Sequence, residues 1–162
     1  QKGHSIAFAD LDRDGDQDVY AVMGGAVEGD IFANALFENP AKKNDNAWIT
    51  IELEGRTANR SAIGARIEII VRQIDGQNRR IMRTIGTGGS FGSGSLQAEI
   101  GLGKAKKIQK INIIWPNAQR TTQTHNNLAI NKFYHIVEGE PPVVLDREAV
   151  PFRKVSKMKH NH

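Results

Sequence analysis

The sequence predicts an all-β protein, in which a short hairpin unit precedes a β-sandwich or barrel domain and an extended tail. Three observations predict it. Apolar and polar residues alternate at period two in segment after segment. Gly-, Pro- and Asn-containing turn signals separate those segments, and no window carries a 3.6-residue apolar stripe of helical length.

The elements follow in chain order. Residues 1–46 hold Ser5-Ile-Ala-Phe-Ala9, an acidic loop, Val19-Tyr-Ala-Val-Met23, a Gly-containing connector and Ala35-Leu-Phe37. Two or three short strands bury too little to fold alone, so this unit must pack on something else. From 47 to 139, Ile49, Ile51 and Leu53 alternate with Thr50 and Glu52, and Ile67, Ile69 and Val71 repeat the pattern. Asp75-Gly76 is a hairpin signal ahead of the alternating Arg79–Ile85. Further strands are expected over 96–102, 108–115, 119–124 and 133–137, with a short turn over 104–107. The tail, 140–162, contains Pro141-Pro142 and then Arg153, Lys154, Lys157 and Lys159, and reads as an extended basic arm that orders against a partner.

Composition narrows the function classes. No apolar run approaches the roughly 18 residues a spanning helix needs, so membrane insertion is not expected. Cysteine is absent, which excludes disulfides, thiolate metal sites and thiol nucleophiles. The first residue is Gln1 and the first ten residues already read as part of a folded element; a removed export signal or a longer parent chain is expected. The net charge of +4 conceals an asymmetry. Residues 1–46 carry four basic against nine acidic side chains, and residues 47–138 carry thirteen against six. An acidic front on a basic body does not resemble a nucleic-acid binder with one basic stripe, so no nucleic-acid partner is expected.

Five of the nine front acids stand in one run, Asp10-Leu-Asp-Arg-Asp-Gly-Asp-Gln-Asp18. Calcium takes six to eight oxygen ligands, and side chains at positions 1, 3 and 5 of a tight loop converge on one point. Asp10, Asp12 and Asp14 occupy those positions. Gly15 permits the sharp turn, Asp16 is expected to offer its backbone carbonyl, and Asp18 to close the cage. At the twelfth position Ala21 replaces the bidentate Glu of an EF-hand, and both flanks are strand-like. Without a cation the run would be costly, since two unit charges about 4 Å apart repel by roughly 1 kcal/mol even in bulk water. Ca²⁺ is therefore the expected ion, held by Asp10, Asp12, Asp14, Asp16 and Asp18, in a structural rather than a signalling role.

The run Gly3 to Tyr20 resembles the FG-GAP or VCBS type of repeat, in which each repeat is one propeller blade with calcium in its Asp-x-Asp-x-Asp-Gly loop. The later sequence resembles the ASPIC/UnbV domain of cartilage acidic protein-like proteins. The matching segments are Trp48 to Gly55, Asn59-Arg-Ser-Ala-Ile-Gly-Ala-Arg66, Gly101-Leu-Gly103, Ile113-Ile-Trp-Pro116 and Ile136-Val-Glu-Gly139. The resemblance implies a single blade over 1–46, an ASPIC/UnbV-like domain over 47–139, secretion or a cell-surface place (the periplasm being the alternative), calcium and an interaction role. It supplies no catalytic residue, so a non-enzymatic module of adhesion or assembly is expected. A protein partner or a second copy would complete the orphan blade by strand addition. The rival readings are a carbohydrate-binding module and an accessory domain of a larger secreted enzyme.

Other features have plainer readings. Gly86–Ser95 is glycine-rich but lacks the Gly-Lys-Ser/Thr and following helix of a phosphate loop, and is read as an inter-strand loop. Asn59-Arg60-Ser61 is a formal glycosylation sequon, read instead as structural: Asn tolerates the left-handed conformation of a turn, and Gly64 permits close backbone packing. His4, His125, His135, His160 and His162 show no metal-ligand spacing. Trp48, Trp115, Phe133 and Tyr134 are assigned mostly to the core rather than to a sugar-stacking surface. Arg79, Arg80, Arg83, Lys104, Lys106, Lys107 and Lys110 are read as solvated strand faces.

Overall fold

A computed structural model describes residues 3–25, 27–40, 44–89 and 95–152. It is all-β, with eleven strands in three sheets and no α-helix among those residues. β1 (Gly3–Ala9), β2 (Asp18–Met23) and β3 (Ala35–Phe37) form an antiparallel sheet in that order. The remaining strands are β4 (Ala47–Glu54), β5 (Arg66–Gln73), β6 (Asn78–Thr84), β7 (Ala98–Gly103), β8 (Ala105–Ile114), β9 (Thr122–Asn126), β10 (Phe133–Val137) and β11 (Val143–Leu145). They make two four-stranded sheets, ordered β11-β10-β4-β7 and β6-β5-β8-β9.

The two four-stranded sheets share one core. Ile49, Ile51 and Ile136 of the first and Ile67, Ile69, Val71, Ile111 and Ile113 of the second are fully buried in one cluster with Trp115. The period-two residues of the sequence are therefore the inward faces, as alternation requires. Strand β8 departs from strict alternation, because Ile108 and Ile111, three apart, both point inward. Its pairing with β5 explains this: Ile70 faces Lys110 and Val71 faces Ile108, leaving Gln109 as an extra residue. A second shift lies between Arg72 and Gln73. Each bulge inverts the parity and keeps the next apolar residue in the core.

Three boundaries differ from the sequence expectation. The expected turn over 104–107 is mostly strand, since β8 begins at Ala105 and the chain reverses at Gly103, whose φ is 62°. β9 starts at Thr122 rather than 119, because Asn117–Arg120 closes a turn in which the Arg120 amide donates to the Asn117 carbonyl at 3.0 Å. The tail is not simply an arm. β10 runs parallel to β4 on one side and leaves its other edge open, and Val143–Leu145 pairs there antiparallel, directly after the two prolines. The basic residues from Arg153 onward, with His160 and His162, and the centre of the Gly86–Ser95 loop lie outside the described residues.

Sheet β1-β2-β3 differs from the sandwich in burying little. Ile6, Phe8 and Phe37 are exposed by 62%, 58% and 58%, and register places Phe8, Val19 and Phe37 in one row. The neighbouring row carries Ala7, Tyr20 and Leu36 on the opposite face. Both faces of this small sheet are thus apolar.

Candidate metal centre

Between β1 and β2 the chain runs as a tight loop over residues 10–17. The structure brings Asp10, Asp12 and Asp14 together, with one carboxylate oxygen of each lying within 4.8 Å of the other two. Internal hydrogen bonds set this convergence. The Asp10 carboxylate accepts the amides of Asp14 at 3.0 Å and Gly15 at 3.1 Å, and Asp12 Oδ1 accepts the Asp14 amide at 3.2 Å. The turn that permits it is made at Gly15, with φ 95°.

Asp16 and Asp18 lie outside this triad. The Asp16 amide donates to Asp14 Oδ1 at 3.1 Å. Asp18 acts as a clasp: Oδ2 accepts the Leu11 amide at 3.2 Å and Oδ1 accepts the Asn39 amide at 3.0 Å. Its carboxylate so joins the start of the loop to the exit of β3, and it is 1% exposed.

The loop rests on the sandwich. A Cβ at Gly15 would fall 1.9 Å from Cε2 and Nε1 of Trp48, so the Trp48 ring lies directly on the glycine. Glu99 on β7 accepts the Asp10 amide at 3.3 Å and the Gln17 side chain at 2.7 Å through the same oxygen. The tail closes the other side, where the Val150 amide donates to the Asp12 carbonyl at 2.7 Å. Arg147 fixes that tail, donating to Glu52 at 2.5 Å and Gln97 at 3.1 Å while lying 5.4 Å over the Phe133 ring. Phe133 in turn meets Trp48 edge to face at 4.9 Å. Trp115 and Tyr134 are core residues as expected, Phe133 is buried on the opposite face of its sheet, and Trp48 is covered by the loop.

Glu99, Trp48, Asn39 and Val150 are the supporting residues that sequence reasoning missed. All four are remote in the chain from the loop, and no local pattern marks them.

Of the triad, Asp10 carries a cost of ionisation. Burial pushes the Asp10 carboxyl up to about 6; the Gly15 and Asp14 amides pull it down, while Glu99 and Asp14 add to the rise. Three hard carboxylate oxygens converging beside a fourth carboxylate form a donor set that suits Ca²⁺, whose charge would offset the cost of holding them ionised.

Family comparison concerns the sandwich. Residues 55–143 match the family model described as ASPIC and UnbV. The chain belongs to the ASPIC and UnbV family. No curated protein matches the chain. The ASPIC/UnbV match spans β5 to the first residue of β11, so the acidic loop lies upstream of it.

Inside the ASPIC/UnbV domain the Asn59–Ala65 run forms a stapled loop. Asn59 accepts the Ile63 amide and donates to the Ile63 carbonyl, both at 2.9 Å. Its role is structural, as expected, and the left-handed residues of the run are Ala62, with φ 51°, and Gly64, with φ 94°. The Asn side chain supplies the hydrogen bonds and Ala62, fully buried, supplies the bend. A carboxylate anchors the preceding turn: Glu138 accepts the amides of Arg56, Thr57 and Ala58 at 2.7, 2.8 and 2.9 Å.

Proposed function

We propose that the chain is a calcium-ordered, non-enzymatic module of binding or assembly acting outside the cytoplasm, in which an FG-GAP/VCBS-type blade is docked on the ASPIC/UnbV domain. The observation that carries it is the convergence of Asp10, Asp12 and Asp14 on a loop seated against Trp48. Those three carboxylates would hold the ion, and the ion would supply charge neutralisation and a fixed loop shape. Asp18 and Glu99 orient the loop, and Gly15 lets it approach the indole ring. The blade reading is supported by the small sheet, apolar on both faces, since a propeller blade is packed by neighbours on both sides. Such a sheet meets a protein partner or a second copy of the chain.

Calcium titration by calorimetry, paired with thermal melts, tests the reading. Extracellular sites of this chemistry bind at roughly 10⁻⁴–10⁻³ M, and calcium at a hundred times its Kd should stabilise the protein by about 2.7 kcal/mol. Asp10→Ala and Asp14→Ala abolish that increment, whereas Asp16→Ala leaves it nearly intact. Equal losses from all three would overturn the ligand assignment, and no calcium heat at millimolar concentration would overturn the centre. A strict monomer by light scattering at millimolar calcium would remove self-assembly from the proposal.

A further inference from the structure

The outward face of sheet β6-β5-β8-β9 gathers cations that are scattered in sequence. Cross-strand register decides which residues share it. Arg72 stands between Asn78 and Lys107, and Ile70 stands between Arg80 and Lys110. Farther along the sheet, Arg66 stands between Thr84 and Ile114. These positions alternate with the buried Ile67, Ile69 and Val71, so they point away from the core. Arg66, Arg72, Arg80, Lys107 and Lys110 therefore occupy one side of one sheet, with neighbouring strands about 4.8 Å apart. Four of the five are exposed, and Lys110 is half-buried.

One acid shares the face. Glu68 accepts Asn112 Nδ2 at 2.7 Å and pairs with Arg80 at 3.3 Å, so its carboxylate steadies Arg80 and leaves the other four cations. Hydrogen-bonding groups share the face with the apolar Ile70, Met82 and Ile114. Asn112 lies between Glu68 and Thr124, Lys110 pairs with Asn126, and Thr122 pairs with Ile114. No Phe, Tyr or Trp lies on these four strands, and His125 of β9 pairs with the inward Ile111 and so faces the other way. The parity reversals in β8 contribute directly: the extra Gln109 allows both Lys107 and Lys110, three apart, to face outward while Ile108 and Ile111 face inward.

We propose that this face binds an acidic polysaccharide, its carboxylate or sulfate groups on Arg66, Arg72, Lys107 and Lys110 and its hydroxyls on the interleaved amides and Thr hydroxyls. Charge complementarity selects a polyanion. A missing stacking platform disfavours single-stranded nucleic acid, which is held by bases on aromatic rings, and a four-stranded sheet face is broader than the helix or two-stranded ribbon that a duplex groove admits. A flat array of cations and hydrogen-bonding groups suits a chain rich in both anions and hydroxyls. The face shares no residue with the calcium loop, so it stands or falls independently of the proposed function.

Binding of the full chain to heparin, polygalacturonate, neutral dextran and duplex DNA of matched length, across a salt series, tests it. Sulfated and carboxylated glycans are the two sources of the shared chemistry, and binding to either supports the proposal while dextran stays silent. The triple variant Arg72→Gln/Lys107→Gln/Lys110→Gln should weaken glycan binding by about tenfold or more and flatten the salt dependence by roughly three ion equivalents. A control that removes the same charge elsewhere, Arg60→Gln/Arg83→Gln/Lys132→Gln, should change it by less than about threefold. Circular dichroism and melting curves show whether each triple variant is folded, and single substitutions of the same residues replace any that is not. Equal weakening by both triples, tighter binding of DNA than of either glycan, or no glycan binding at low salt would each overturn the proposal.

Discussion

Burial alone would lift the Glu138 carboxyl, but hydrogen bonds from the amides of Ala58 and Arg56, the Thr57 hydroxyl and the Asn117 side chain outweigh it and bring it down to about 2. The Thr57 amide adds a further donor at 2.8 Å. One carboxylate at the end of β10 thus organises the turn that opens the ASPIC/UnbV match. Because the folded value lies below the ordinary 4.5, the contribution to stability is complete above about pH 4.5 and is lost as pH falls through about 2. Glu138→Gln keeps the shape but turns one acceptor into a donor facing donors, and should cost about 1–2 kcal/mol at neutral pH. Chemical denaturation of both proteins from pH 7 downward reads this out, with the gap between them narrowing as pH drops below 4.5. A gap that widens on acidification would show that Glu138 is not the ionised acceptor described.

At the scale of elements, the strap formed by β11 and the residues after it carries more than its three-residue strand suggests. It covers the open edge of β10, places Arg147 over Phe133, and delivers the Val150 amide to the Asp12 carbonyl. Removing residues 141–162 should lower the melting temperature by several degrees, since a loss of 1 kcal/mol shifts a domain of this size by roughly 2–8 °C. It should also shrink the calcium-dependent increment, because the Asp12 backbone loses its outer restraint. An unchanged melting curve would show the strap to be ornamental. The inward faces of β4, β5 and β10 were legible because Ile49/Ile51, Ile67/Ile69/Val71 and Tyr134/Ile136 alternate cleanly. The bulges of β8 and the parallel pairing of β10 with β4 were not, because both depend on partners distant in sequence. β11 escaped notice for a related reason: three apolar residues after two prolines become a strand only where an open edge awaits them. In the loop the convergence of Asp10, Asp12 and Asp14 was legible from their spacing, while the Trp48 seat and the Glu99 brace arise only in three dimensions.

For the molecule as a whole, the decisive fact is that the buried core belongs to one unit. Every residue of the hydrophobic cluster lies between Ala47 and Ile136, and none comes from the small sheet. The sandwich therefore holds its own apolar driving force, whereas β1-β2-β3 contributes none of that cluster and meets the sandwich through the loop seated on Trp48. Three strands of this length are marginal without such support. If calcium draws Asp10, Asp12 and Asp14 together, chelation removes the small sheet's main tie while the sandwich core stays intact. The two units should then separate in hydrogen exchange. With excess chelator, amides of β1 to β3 should lose protection by about tenfold or more, as expected of a sub-global opening made cheaper by about 1.4 kcal/mol. Amides of β4, β5, β8 and β10 should keep theirs. Uniform loss across all strands would mean that the loop and sandwich fold as one cooperative body, and no loss anywhere would mean that the triad holds its shape without a cation.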